Sequence, residues 1–196
     1  MPTPVGHSLG GLVVALWLSP HRRLSDLLRD RERLLYIVLL ANLPDVDFVI
    51  GFFAFGDPQW LHGKLTHGVL FAVLVAGLLA QVPRFGPTTA RRFRLALALL
   101  LSHSLMDFLQ SSRGLGLSEG SGVALLAPLT DQRYAAPVSV FLGVRHKTWE
   151  QLMSWHNVLA VGFELACLLP LLVLLDAVRA RWGRGAETAR EERDGR

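Results

Sequence analysis

Residues 93–109 read Phe-Arg-Leu-Ala-Leu-Ala-Leu-Leu-Leu-Ser-His-Ser-Leu-Met-Asp-Phe-Leu, an apolar stretch into which His103 and Asp107 are set. A stretch of this length and composition reads as a helix at the short end of what crosses a bilayer, for which about 17–25 residues are needed. A separation of four places His103 and Asp107 on one helix face, about 6 Å apart at the backbone. An imidazole and a carboxylate so placed can share a metal ion or hydrogen-bond to each other. They can also form a buried pair that merely ties helices together. Ionisable groups inside apolar helices cost about 2.5–3.5 kcal/mol each on insertion scales, so both need partners.

Four further apolar segments flank this one. They cover residues 5–18, 34–55 (interrupted by Asn42, Asp45 and Asp47), 67–82 and 158–178, where only Glu164 and Asp176 are charged. The chain thus reads as all-α, a multi-span helical membrane bundle of about five main helices. Of its 196 residues 51% are hydrophobic and 18% charged, and the mean hydropathy is +0.36. Low charge, no glycine period and no heptads exclude disorder, collagen and coiled coil. Cys167 is the single cysteine, which excludes an internal disulfide and a Cys-rich structural zinc site.

A net charge of +4 and a pI near 10 would suit nucleic acid, but the basic residues lie elsewhere than such a partner needs. Fifteen of the twenty fall in three connections, 22–33, 84–94 and 179–196. The other two connections are nearly free of them. Alternating basic ends predict an integral membrane protein with the basic loops cytoplasmic and the amino terminus outside. The bilayer is then the expected partner, and nucleic acid is not. Residues 1–182 read as one membrane-embedded domain and 183–196 as a charged, disordered tail. No cleavable signal is expected, since His7 interrupts the start of the first apolar run. Trp17, Trp60, Trp149, Trp155 and Trp182 fall near segment ends, as interfacial aromatics do. The Gly- and Ser-containing connection 111–136 reads as a flexible loop.

Two more polar groups interrupt apolar sequence. In Asn42-Leu-Pro-Asp45-Val-Asp47, Pro44 removes a backbone donor and predicts a break. A broken turn lets both carboxylates reach one cavity; a regular helix would point them apart. In His62-Gly-Lys-Leu-Thr66-His67, Thr66 is a fair cap that sets His67 in the first turn of the third segment. With His7, these groups all fall at the ends of their segments opposite the basic connections. Several helices bringing His and Asp to one level is how helical bundles build metal sites. Nitrogen and oxygen ligands without thiolate suit zinc, manganese or iron. The expected ligands are His7, Asp45, Asp47, His62, His67, His103, Asp107 and Glu164. His156 is a weaker candidate. Arg133 and Tyr134 are candidates for binding an anionic substrate, and His21 and His146 read as surface residues.

Thr3-Pro-Val-Gly-His7, Leu43-Pro-Asp45-Val-Asp47, His62 with Thr66-His67, His103-Ser-Leu-Met-Asp107 and Gly122-Val-Ala-Leu-Leu-Ala-Pro128 occur in one order. In this the chain resembles the inner-membrane metal-dependent hydrolases also described as LexA-binding inner-membrane hydrolases. The resemblance covers most of residues 3–129. It departs at Gly63-Lys64, where that family tends to carry Arg-Gly after the histidine; Lys64 is the available substitute. The order of ligands is also similar to helical zinc-dependent phospholipase C and nuclease proteins. That similarity implies metal binding by His7, Asp45 or Asp47, His67, His103 and Asp107, and phosphoester hydrolysis. The amino-terminal tryptophan ligand of that group has no counterpart here.

These observations lead to the expectation of a membrane-bound, metal-dependent hydrolase acting on a phosphoester or lipid-like small-molecule substrate. Its divalent cofactor is expected to be zinc, with manganese and iron as alternatives, and Asp45 and Asp47 are its expected catalytic carboxylates. Two rivals come from other classes: a metal or proton transporter, since intramembrane His and Asp also mark ion paths, and a non-catalytic scaffold.

Overall fold

The computed structural model describes all residues except 20–22, 58–59, 113–115, 119, 121, 147 and 195–196, and for 149 and 182–194 the backbone alone. His21 and the side chains of the expected tail 183–196 therefore lie outside the described residues. The chain is all-α. Its helices are α1 (Pro4–Leu18), α2 (Leu24–Arg29), α3 (Arg31–Asn42), α4 (Val46–Phe55), α5 (Val69–Leu79), α6 (Thr89–Gln110), α7 (Trp149–Leu152) and α8 (Trp155–Asp194). Among the described residues no strand forms, only isolated bridges.

Each apolar segment becomes a helix, and local chemistry sets the ends. Thr3 caps α1, its hydroxyl accepting from the Gly6 amide, and Pro4 occupies the first turn, where a missing N–H costs nothing. Thr88 caps α6 through the Arg91 amide. The second segment breaks where Pro44 stands. Helix α3 ends at Asn42, a 3₁₀ turn covers Leu43–Asp45, and α4 restarts at Val46.

Helix α1 is the hub: it packs on α3, α6 and α8, and α5 packs on the far side of α6. Gly10 and Gly11 permit this. A Cβ on Gly11 would stand 2.7 Å from the Ala41 Cβ, and one on Gly10 would overlap Met106 Sδ, so only hydrogen allows α1 to lie so close to α3 and α6. Leu12, Leu16, Ile37, Leu99, Leu100 and Leu172 fill the middle of the bundle.

The basic residues gather at one end. Arg179 bonds the carbonyls of Ser19 (2.8 Å) and Trp17, Arg33 reaches the Ser19 hydroxyl (3.2 Å), and Arg23 pairs with Asp176 (2.7 Å). His7, Asp45, Asp47, His67, His103 and Asp107 lie at the other end of the bundle.

By length and composition two helical stretches can cross a membrane, Arg31–Phe55 and Glu150–Arg181, and only 33% and 22% of their apolar windows are buried. A core helix of a soluble domain would be mostly buried. These two stretches contain the second and fifth apolar segments, 34–55 and 158–178, the two that reach about 20 residues. Helix α1 has 15 residues and α5 has 11, which at about 1.5 Å per residue fall short of a 30 Å hydrocarbon layer. Helix α6 is long enough, yet it is central, with Leu95, Leu99, His103 and Asp107 all buried. The outer faces carry large apolar side chains, Phe53 at 80% and Leu78 at 74% exposure among them, a surface suited to lipid. Trp17, Trp60 and Trp155 are also exposed.

Within the connection expected to be a flexible loop, residues 122–136 are instead folded back onto the polar end. Val123 and Tyr134 exchange both backbone hydrogen bonds (2.8 and 2.9 Å), the Val69 amide bonds the Leu125 carbonyl (2.8 Å), and Val123, Ala124, Ala127 and Ala136 are buried.

Candidate metal centre

The two carboxylates of the broken segment grip opposite sides of one ring. Asp45 Oδ1 stands 3.5 Å from His67 Nε2, and Asp47 Oδ2 stands 3.4 Å from His67 Nδ1. In an unbroken helix, residues two apart would diverge by about 200°. The 3₁₀ turn after Asn42 brings them to the same histidine.

Hydrogen bonds fix the tautomers. His103 Nδ1 lies 2.8 Å from the Ala41 carbonyl, an acceptor that only a protonated nitrogen can meet. The Thr66 hydroxyl donates to Asp47 Oδ2 at 2.6 Å, so it can only accept from His67 Nδ1, 3.1 Å away. Both rings are therefore held at Nδ1, and both turn the lone pair of Nε2 inward. Ser104 on α6 ties the two together by donating to the His67 carbonyl at 2.8 Å.

Those two Nε2 atoms are 3.2 Å apart. Asp45 Oδ1 lies 3.5 and 3.4 Å from them, and Asp107 Oδ2 lies 3.3 Å from each. Two triangles of donor atoms thus share the His67–His103 edge. A tetrahedral zinc ion, with bonds of about 2.0–2.1 Å, separates its ligands by about 3.3–3.4 Å. The edges match.

One ring protonated at Nε2 could donate to the other across this contact, but that single proton leaves both oxygens of Asp45 and Asp107 Oδ1 without a hydrogen-bond partner among the described residues. The donor set thus fits a divalent cation of the zinc class.

His7 completes this region from α1. It is fully buried and stacks on His103, with centroids 3.7 Å apart and planes at 11°. Its Nε2 lies 3.6 Å from Asp107 Oδ1. Among the described residues neither nitrogen of His7, neither oxygen of Asp45 and not Asp107 Oδ1 has a hydrogen-bond partner. Buried polar atoms are satisfied in the great majority of cases, so several unpartnered atoms gathered in one place fit a site able to take a cation.

Asp47 differs from Asp45. Its Oδ1 meets His62 Nδ1 at 3.0 Å, while its Oδ2 accepts from the Gly63 amide (3.2 Å) and the Thr66 hydroxyl. Both oxygens are engaged in orienting His62 and His67, the way outer carboxylates fix ligating histidines. Asp47, His62 and His67 also present one atom each within 4.8 Å of one another, as do His7, His103 and Asp107.

Seven of the eight expected ligands come together. Glu164 does not join them. Its carboxylate accepts from the amide and hydroxyl of Thr3, the former at 2.8 Å, and so binds the start of α1. A buried glutamate announces the need for a partner but not which one, and here the partner is 161 residues away. His156 bonds the Gly143 carbonyl (3.0 Å). Lys64, the substitute cation, stands over the Trp60 ring, 5.6 Å from its centroid.

A cavity of about 390 Å³ opens beside the cluster, with His62, His67 and Asp107 in its wall. His146 and Gln110 line it too. Reading His146 as a surface residue missed this. The ring sits edge-on to Phe48 and His62, at 5.7 and 5.8 Å, and burial holds its pKa below the usual histidine value. Only the tertiary fold brings residue 146 beside residue 62.

Fold and site define a class: an all-helical protein with apolar outer faces and a buried His/Asp centre at one end. The chain belongs to the family described as YdjM inner membrane protein, whose profile matches residues 1–182. No curated protein and no solved structure matches it.

Proposed function

We propose that the chain is a membrane-bound, metal-dependent hydrolase with its centre at the end opposite the basic loops, those loops being cytoplasmic. The observation that carries this reading is the contact of two inward-facing Nε2 atoms, His67 and His103, flanked by the carboxylates of Asp45 and Asp107. His67, His103, Asp45 and Asp107 would hold a divalent ion, with His7 and His62 in reach of the same region. Held by three of these four donors, a zinc-class ion would supply at its fourth position a water acidified toward neutral pH, and a positive charge for a developing oxyanion.

The chain's own groups divide the remaining work. Ala41 and Thr66 hold the two imidazoles in the ligating tautomer. Asp47 fixes His62 and His67. Asp45 is the carboxylate whose oxygens are unengaged by hydrogen bonds among the described residues, so it is the general base in this reading, with Oδ2 accepting the proton. A phosphoester or lipid-like substrate would enter the adjoining cavity. A metal or proton path would need polar groups continuing toward the basic end. There Leu16, Ile37, Leu99 and Leu100 fill the bundle, which favours hydrolysis over transport.

The test is hydrolysis of a chromogenic phosphodiester by zinc-loaded protein in detergent, alongside zinc flux in sealed vesicles. The expected result is turnover that a chelator abolishes and that Asp45→Asn lowers by about a hundredfold or more. Zinc flux without hydrolysis would reverse the assignment.

A further inference from the structure

The cavity beside the cluster is bounded on its other side by Arg133, whose placement neither sequence spacing nor the metal centre demands. The paired backbone bonds between Val123 and Tyr134 fix the adjoining backbone. From there Arg133 Nη1 donates to the Gly122 carbonyl at 2.9 Å. The guanidinium lies over the turn that carries His62. A Cβ on Gly63 would stand 3.3 Å from Nη1, and Gly63 itself adopts φ +72, a region that glycine enters without strain. The 62–64 turn therefore accommodates the arginine while its Gly63 amide holds Asp47. Of the side chains lining this cavity, among the described residues, Arg133 is the one with a permanent positive charge, and Asp107 is the one carboxylate.

We infer that Arg133 forms an oxyanion subsite facing the His/Asp centre, and that the substrate carries an anionic phosphate or carboxylate group held there. This rests on the hydrolase reading and adds to it the charge of the substrate and the residue that selects it. A divalent cation held by Asp45 and Asp107 brings that side of the cavity wall close to neutral, and the Arg133 guanidinium then supplies positive charge to the cavity, a field that favours anions. A guanidinium fork matches the paired oxygens of a phosphate or carboxylate, a geometry that a lysine ammonium does not offer. Lys64 stands over the Trp60 ring and is not among the residues lining the cavity.

The experiment uses the full chain in detergent, with metal content measured first and inorganic phosphate then titrated by calorimetry. Wild type should bind phosphate, and Arg133→Ala should weaken it by about tenfold or more at unchanged metal content. Arg133→Lys should fall between them. Should Arg133→Ala not accumulate, Arg133→Lys decides, because undiminished phosphate affinity in that variant overturns the fork. Acetate in place of phosphate separates the carboxylate from the phosphate class. Glycerol phosphate and a short-chain phosphatidic acid carry one headgroup anion without and with acyl chains. Weakening of either by Arg133→Ala supports the subsite, and a preference for the latter identifies the bilayer as the source. Equal phosphate affinity in wild type and Arg133→Ala, or no phosphate binding by metal-loaded wild type, overturns the subsite and leaves the metal centre standing. A wild type that takes up no metal defeats the hydrolase reading instead. Phosphate titrated into that chain still judges Arg133 by whether the alanine variant loses it.

Discussion

His7 and His103, on helices α1 and α6, lie ring on ring, with centroids 3.7 Å apart and planes within 11° of parallel. Both are fully buried, and neither nitrogen of His7 has a hydrogen-bond partner among the described residues. A stack alone would be served better by a phenyl ring, which has no polar atoms to orphan. His7→Phe separates the two roles. The variant should keep its thermal unfolding temperature within a few degrees while losing about tenfold or more in zinc affinity, measured by competition with a chelator. Unchanged affinity would reduce His7 to a packing residue.

Asp47→Asn removes the charge that orients His62 and His67 without removing a proposed inner ligand. Outer partners of ligating histidines are worth about 10–100-fold in metal affinity. The loss should be of that order and smaller than for Asp45→Ala or Asp107→Ala. A loss as complete as theirs would make Asp47 a direct ligand.

Glu164→Ala should act on stability and not on the metal. The carboxylate accepts from two donors of Thr3, and removing it strands them in a buried place at a cost of about 1–3 kcal/mol each. The variant should unfold at lower temperature while its folded fraction retains the wild-type metal stoichiometry. Metal loss with unchanged unfolding would restore Glu164 as a ligand.

Cation binding should also be visible as folding energy. Asp45 and Asp107 crowd the same two imidazoles, so the metal-free chain keeps their repulsion, and a ligand that binds only the folded state adds about 2.7 kcal/mol at a hundredfold excess over its dissociation constant. Chelation should lower the unfolding temperature, and zinc should restore it. His103→Ala should show neither response.

How far the sequence could be read depended on whether a feature was local. Apolar runs marked the helices, and Pro44 marked the break that turns Asp45 and Asp47 to one histidine, because both are properties of a few adjacent residues. The i,i+4 pair His103 and Asp107 was legible for the same reason. Span number was less so. Hydropathy does not distinguish lipid contact from burial against other helices, and α6 is an interior helix with the composition of a membrane one. The division of labour between Asp45 and Asp47 depends on the Thr66 hydroxyl and the Gly63 amide, which spacing does not reveal. Glu164 and Thr3, and likewise His146 and His62, meet only through long-range packing, so no pattern within either segment announces the contact.

The most direct measurement is elemental analysis of the detergent-purified chain. At least one zinc-class ion per chain is expected in the wild type, and its near-complete loss in His103→Ala and in Asp107→Ala. A wild type that emerges without metal after zinc is supplied, or variants that retain the full wild-type content, would contradict the centre on which the whole account stands.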